Sequence, residues 1–146
     1  MPMLDSILLE GDKAIFMPNF GAAVVVVRPG DLKGSGPGTI KGKKICVDGD
    51  EKQVKVSGCT YITPQYSIPG VGTLEIAALA GNQKATKTNT GGKPLLLKGG
   101  NFTAKFSVQT PAQQPPPGPG SPIPDISPQY SGNGMFVTTN LLIKGS

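Results

Sequence analysis

Cysteine is the residue type with the most chemical potential in this sequence, because the chain contains Cys46 and Cys59 but no histidine. Without histidine, the commonest general base is missing, so no Ser-His-Asp triad, Cys-His dyad or HExxH helix can form. Two thiolates alone do not complete a zinc site. The sequence favours buried free thiols over a disulfide, and a disulfide over a metal site. We therefore expect no catalytic residue, cofactor or metal, with Cys46 and Cys59 as the only candidate ligands.

The acidic side chains and a glycine-rich loop offer two further candidate sites, and neither has the spacing that its chemistry needs. Asp48, Asp50 and Glu51 form an acidic cluster, but no glycine follows Asp50 in the register of a calcium-binding loop. Residues 34–38 (GSGPG) lack the Gly-Lys-Ser/Thr of a phosphate-binding loop, and Pro37 removes an N–H donor. A polar turn and an ordinary loop are the better interpretations.

Positive charge is concentrated in the second part of the chain. The whole sequence has 14 Lys and Arg against 9 Asp and Glu, a formal net charge of +5, and residues 61–146 contain 6 basic and 2 acidic residues. The phenylalanines near these lysines, Phe102 and Phe106, fall on the apolar phase of a predicted strand rather than beside the lysines. A solvated basic face or an acidic partner is therefore favoured over nucleic acid.

The elements that carry these residues are predicted to be β-strands. Glycine (21) and proline (15) make up 36 of 146 residues, which excludes a helical bundle because both destabilise helix interiors. Hydrophobic residues at 37%, aromatics at 5% and the absence of tryptophan indicate a thin, aliphatic core that a partner would help to stabilise. Apolar or alternating runs between glycine and proline turns predict strands. They lie at 22–27, which reads as fully buried, and at 40–47, 51–56, 73–79, 94–97 and 101–108.

A repeat links two of these strands. Residues 42–50 (GKKICVDGD) and 92–100 (GKPLLLKGG) both have Gly-Lys, an apolar strand and a glycine seven positions after the first. A further Gly-Asp occurs at 11–12. The pattern predicts short strands ended by glycine turns, which need positive φ or close backbone approach. The predicted turn residues are Gly11, Asp12, Gly42, Lys43, Gly49, Asp50, Gly92, Lys93 and Gly99.

The C-terminal part of the chain differs in composition from the rest. Eight of the 15 prolines lie in residues 111–128, which predicts an extended polyproline II connector or a disordered linker. The apolar tail at 135–143 should dock on its own domain or on a partner. The start of the chain has no basic n-region, and no long apolar run follows it. We therefore expect synthesis in the cytoplasm with no signal peptide and no membrane span.

The glycine-punctuated phrases resemble the repeats of PAAR proteins. The phrases are GDK at 11–13, TIKGKKICVDGD at 39–50 and GKPLLLKG at 92–99, and the resemblance covers roughly residues 10–108. The sequence departs from the family pattern because KICV and PLLL stand where the family has Pro-Ala-Ala-Arg. It also lacks the histidines with which many members bind zinc near the apex. The chain is therefore similar to a divergent, PAAR-like member.

This resemblance implies an all-β fold, a small conical, folded-over structure of short strands with a proline-rich C-terminal extension. Residues 1–110 would form the PAAR-like cone, 111–128 an extended linker and 129–146 a terminal strand or strap. A PAAR-like protein is a non-enzymatic tip of a contractile injection machine, such as a type VI secretion system, a phage tail or an extracellular phage-tail-like particle.

The same resemblance implies partners and a location. One copy would cap a trimeric VgrG-like spike, sharpen it for puncture of the target envelope and contact the target membrane transiently. The placement of the lysines and phenylalanines, described above, separately predicts no nucleic-acid partner. Members of the family also tether effectors as cargo. The protein would be assembled at the tip of the particle and expelled when the sheath contracts.

Two other functions are compatible with the sequence. A phage or virion baseplate adaptor or decoration protein would also be a small β protein, but a decoration protein would be present in many copies. A polyanion-binding module would use the basic second part of the chain.

Overall fold

The computed structural model describes residues 5–116, 118–138 and 144–145. Strands account for 56% of these described residues, which confirms the predicted all-β class. Helical structure in these residues is limited to two short 3-10 turns, Asp50–Gln53 and Gly81–Gln83. The strands are β1 (Asp5–Ser6), β2 (Lys13–Phe16), β3 (Asn19–Phe20), β4 (Ala23–Val25), β5 (Gly30–Asp31), β6 (Thr39–Ile40), β7 (Lys43–Lys44), β8 (Lys55–Ile62), β9 (Gly70–Ala78), β10 (Lys84–Thr90), β11 (Lys93–Leu96), β12 (Asn101–Thr110), β13 (Gln113–Gln114), β14 (Ile123–Pro124), β15 (Gln129–Val137) and β16 (Lys144–Gly145).

Most of the strand residues in the described chain belong to one curled antiparallel sheet, called the large sheet below, which resembles half of a barrel. Its eight described strands follow the order β3-β4-β8-β9-β12-β15-β2-β5. The longest strand, β12, pairs with β9 on one side and with β15 on the other. Strands of eight to ten residues are longer than the short strands that the glycine spacing predicts. They are possible because β8 and β12 largely alternate between buried and more exposed positions, so one face of each strand packs on the core.

The core inside the large sheet is aromatic rather than purely aliphatic, contrary to the composition-based expectation. All five phenylalanines are buried, although the whole chain has only 5% aromatic residues. Phe16 and Phe102 meet edge to face with ring centroids 5.5 Å apart, and Tyr61 meets Phe106 in the same way at 5.1 Å. The few aromatic residues thus stabilise the sheet because they are concentrated in one cluster.

Three predicted strands differ from the structure. Residues 40–47 do not form one strand, because a turn at Lys41-Gly42 separates β6 from β7. The run at 22–27 is only partly buried: Val24 is 50% exposed and Val26 is 67% exposed, because the outer face of β4 is open. Residues 51–56 begin as the 3-10 turn, and β8 starts only at Lys55. The prediction for 101–108 is confirmed, since Phe102, Ala104 and Phe106 all face the core.

The first strand of the predicted C-terminal segment 129–146, which is β15, lies within the large sheet. β15 pairs with β12 and with β2, so it joins late and early parts of the chain. The proline-rich stretch before it is anchored by the short pair β13–β14, and Ile68 forms a bridge to Gln113. Part of the predicted apolar tail, residues 139–143, lies outside the described residues.

The long strands define two ends of the molecule. β2 and β12 both start at the end where residues 7–12 and 95–100 lie, and β8 starts shortly after residues 45–50. Ten residues of β12, at about 3.3 Å each, carry the chain about 30 Å away from that end. We call the starting end the ring end, and the opposite end, which holds residues 63–69 and 111–128, the sheet end. No helix in the described residues is long and apolar enough to cross a membrane.

Candidate functional site

Three short segments close into a ring of backbone hydrogen bonds at the ring end. The segments are 7–9, 45–47 and 95–97. The N–H of Leu8 donates to the carbonyl of Leu96 at 3.0 Å, that of Leu96 donates to Cys46 at 2.9 Å, and that of Cys46 donates to Leu8 at 3.0 Å. Each middle residue therefore donates to one neighbour and accepts from the other. This arrangement has approximate threefold symmetry although it is built from a single chain.

The residues that flank the middle positions complete the ring. Antiparallel bridges join Leu9 to Ile45, Val47 to Leu95 and Leu97 to Ile7, so each segment pairs with the next around a triangle. Side chains on a strand alternate between its two faces. The middle side chains pack into the core of the large sheet. The flanking side chains form a second buried cluster on the opposite face, consisting of Ile7, Leu9, Ile45, Val47, Ala85, Leu95 and Leu97, with Ile40 packed against it.

Each ring segment is preceded by a short antiparallel strand pair. β6–β7 and β10–β11 are hairpins whose two-residue turns, Lys41-Gly42 and Gly91-Gly92, have positive φ at both positions. This is the geometry of a type I′ turn, which matches the right-handed twist of hairpin strands. In the third arm, β1 pairs with β16 in place of a continuous hairpin. The two predicted Gly-Lys pairs of the repeat thus occupy equivalent hairpins.

Each ring segment is followed by a turn, and two of the three turns use the same aspartate bond. The carboxylate of Asp12 accepts the N–H of Leu9 at 2.8 Å, and that of Asp50 accepts the N–H of Val47 at 2.8 Å. The third turn has Gly100 at this position. There the buried Gln83 substitutes, since its backbone carbonyl accepts the N–H of Leu97 at 2.9 Å.

The structure brings the predicted turn residues together at the ring end. Gly42-Lys43 and Gly92-Lys93 lie in the hairpins before the ring, and the remaining residues lie in the turns after it. Gly11, Gly49 and Gly99 all have positive φ. At Gly99 a side chain would also collide with the backbone of Asn82, 2.6 Å from an added Cβ. The turn residues after the ring are Gly11, Asp12, Gly49, Asp50 and Gly99.

The repeat has a third member that was not predicted. Residues 6–12 (SILLEGD) align with 44–50 (KICVDGD) and 94–100 (PLLLKGG), each with three apolar residues before a turn. The predicted repeat included only the second and third copies, and the Gly-Asp at 11–12 was predicted as an isolated turn. Reading backward from that Gly-Asp to the apolar 7–9 would have revealed the first copy.

The two cysteines lie in different parts of the same core. Both are buried and free in the structure. Cys46 is a middle residue of the ring, and burial, followed by the nearby carboxylates of Asp50 and Asp12, raises its thiol pKa to about 12. Cys59 lies in β8, with its sulfur 3.9 Å from the guanidinium of Arg28. Within the described ranges, no group of three or more Cys, Asp or Glu side chains is arranged to hold a metal ion.

The sheet end differs from the ring end in charge. Residues 19–27, 59–73 and 107–130 contain a single charged residue, Asp125, which is buried. Its carboxylate accepts hydrogen bonds from the hydroxyls of Tyr61 at 2.8 Å and Tyr130 at 2.6 Å. These three side chains, called the tyrosine–aspartate clamp below, hold the proline-rich segment against the sheet. The surface that remains is uncharged and includes Ile126, which is 89% exposed.

The hydroxyls and carboxylate of the clamp shift one another's acidity. Burial, followed by the hydrogen bond to Asp125, raises the pKa of Tyr61 to about 12, although the N–H of Ala112 acts in the opposite direction. Burial alone would raise the pKa of Asp125, but the hydrogen bonds that its carboxylate accepts from Tyr130 and others outweigh burial and lower it. The clamp therefore holds a charged carboxylate and two neutral phenols near neutral pH, an arrangement suited to structure.

Together these features define a class of protein: a β protein with an internal threefold axis at one end and an uncharged opposite end. The chain belongs to the family of contractile injection system spike tip proteins, whose sequence model matches residues 3–146. This membership confirms the resemblance to a PAAR-like spike tip. Among curated proteins, no sequence matches the chain.

Proposed function

We propose that this chain caps a trimeric, VgrG-like central spike through its ring end, with one copy on each spike. The observation that carries the proposal is the closed ring of residues 7–9, 45–47 and 95–97. A single chain can contact three identical subunits equivalently only if it presents three similar surfaces about one axis. The ring and its three strand pairs supply such surfaces.

The two ends of the ring axis are not equivalent, which indicates the direction of docking. One face of the ring packs into the core of the large sheet, which has no threefold character. The other face carries the second apolar cluster and the hairpins. We infer that this second face meets the spike, and that the sheet end leads.

In this proposal the protein acts mechanically and not as an enzyme. The large sheet and its aromatic core transmit the sheath force, and the uncharged sheet end enters the target envelope. An uncharged end is suited to brief contact with a membrane, because charged side chains are costly in the bilayer core. The protein would be assembled at the tip of the particle and expelled on contraction.

The proposal also assigns roles along the chain. Residues 1–110 would form the cone, 111–128 would act as a strap across the sheet end, and the segment 129–146 would close the sheet through β15. The clamp supports the strap role because Asp125 links the segment to Tyr61 of β8 and to Tyr130 of β15. Effector cargo would attach at the sheet end or along the sheet, since the ring end is occupied by the spike.

The test is the stoichiometry of the complex with the trimeric spike protein of the same injection system. Native mass spectrometry of the mixture should give one copy of this chain for three spike subunits, and a map of the particle should show it at the tip alone. A stable monomer that ignores the spike and is absent from the particle would refute the proposal. A multi-copy position along the particle would favour a decoration protein instead.

A further inference from the structure

The hairpins at the ring end carry an excess of positive charge. Residues 39–44 and 84–97 contain six lysines and no acidic residue. One of the six, Lys84, forms an ion pair with Asp48 at 3.1 Å. The other five are all exposed, and the ion pairs found in the described part of the chain involve none of them. Of these five, Lys41, Lys43 and Lys93 lie in a type I′ turn or directly after one. We call these three residues the hairpin lysines.

Strand alternation directs two of the hairpin lysines toward the face that we infer meets the spike. Lys43 shares a strand face with Ile45, and Lys93 shares one with Leu95, since side chains two residues apart point the same way. Ile45 and Leu95 belong to the second apolar cluster. Lys43 and Lys93 are also equivalent positions in the two hairpins, so they present charge at matching points about the ring axis.

Lys41 occupies a backbone conformation that costs stability. Its φ is 52°, the only positive value among the described residues other than glycine. A side chain in this left-handed region is strained, and glycine is preferred in type I′ turns. The equivalent residue in the other hairpin is Gly91, whose φ is 59°. A lysine at this position is therefore unfavourable for the turn itself, which points to a use for its charge.

We propose that the spike surface covered by this chain is acidic, and that Lys41, Lys43 and Lys93 pair with its carboxylates. This inference rests on the proposed function, because it names the chemistry of the partner at the same docking face. Asp5 stands at the position equivalent to Lys43 and Lys93 in the third arm. Its carboxylate accepts the N–H groups of Ser6 and Gly99, both at 2.7 Å, and so serves the fold. The docking charge is therefore carried by two arms of the three.

The experiment measures binding of the full chain to the purified trimeric spike protein of the same injection system. The test variant is Lys41→Gln/Lys43→Gln/Lys93→Gln. The matched control is Lys33→Gln/Lys52→Gln/Lys55→Gln, which removes the same charge from exposed lysines outside the hairpins. Both variants should fold, since none of these side chains is buried.

The expected result is a selective, salt-dependent loss of affinity. The test variant should bind about 3- to 100-fold more weakly in low salt, as expected for three partly exposed ion pairs, while the control stays within about twofold. Raising the salt should weaken binding of the unmodified chain and affect the test variant much less. Lys41→Gly should raise the melting temperature while weakening binding, which a purely structural residue would not do.

Other outcomes separate the two proposals. If the unmodified chain does not bind the spike, the proposed function fails and the inference fails with it. If it binds, but neither salt nor the test variant changes the affinity, capping stands and the acidic partner surface is refuted. If the hairpin lysines instead bind duplex DNA more tightly than the spike, the inference is overturned in favour of a nucleic-acid partner.

Discussion

The tyrosine–aspartate clamp allows a quantitative test of how the proline-rich segment is held. Asp125 is 4% exposed, and its carboxylate accepts bonds from Tyr61 at 2.8 Å, Tyr130 at 2.6 Å and the N–H of Ser127 at 2.9 Å. Asp125→Asn keeps the shape but replaces one oxygen by an NH2 group that faces these donors. A hydrogen bond to a charged group contributes about 1.5–3 kcal/mol, so losing one or two should lower the free energy of unfolding by about 2–4 kcal/mol.

The lowered pKa of Asp125 gives this effect a pH dependence. A carboxyl whose pKa is lower in the folded chain contributes its full stabilisation above the unfolded pKa of about 3.9. The contribution is lost as the pH falls through the folded pKa. The difference in unfolding free energy between the unmodified chain and Asp125→Asn should therefore stay constant from about pH 5 to 7 and shrink below about pH 4.

Urea unfolding followed by circular dichroism and tyrosine fluorescence measures both effects, since two of the three tyrosines belong to the clamp. Asp31→Asn is the matched control, because its side chain is 64% exposed and pairs with Lys13 at the surface. It should change the unfolding free energy by less than about 0.5 kcal/mol. An equally small change for Asp125→Asn at neutral pH, or a difference that does not shrink in acid, would refute the reasoning.

Three further predictions concern the ring. Leu96→Ala should lower the free energy of unfolding by about 2–5 kcal/mol in urea titrations, because Leu96 is fully buried, whereas the exposed Ile126→Ala should have little effect. Asp50→Asn should destabilise more than Asp12→Asn in the same titrations, because Asp50 also accepts the N–H and hydroxyl of Ser35; equal losses would contradict this. Cys46 should resist iodoacetamide at pH 8 until the chain is unfolded, as mass spectrometry would show, since the thiol is buried with a pKa of about 12. Rapid alkylation of the folded chain would contradict that last prediction.

The strands of the large sheet could largely be predicted from local pattern. The alternation in 101–108 predicts both the strand and the face on which Phe102 and Phe106 lie, because side-chain direction follows directly from a two-residue period. The exposure of Val24 and Val26 could not be predicted in this way. An apolar run has the same sequence pattern whether one or both faces of its strand are covered. Only the tertiary packing around β4 shows that its outer face is uncovered.

The ring could be predicted only in part. The glycine spacing identified two of its three arms, because type I′ turns restrict the residue types at their centre. Gln83 could not have been identified from the repeat, since it takes the place of an aspartate from a different element. The tyrosine–aspartate clamp could not be predicted either, because Asp125 and Tyr61 are 64 residues apart in the sequence.

The sequence by itself determined the all-β class, the family and the positions of the glycine turns. Each of these follows from local backbone preferences and composition, which are properties of short segments. Only the tertiary structure decided that residues 7–9, 45–47 and 95–97 close into a ring with a threefold axis. It also decided that charge is absent from the surface of the opposite end. Both depend on hydrogen bonds and packing between segments far apart in the chain, and short-range sequence patterns do not record which distant segments will meet.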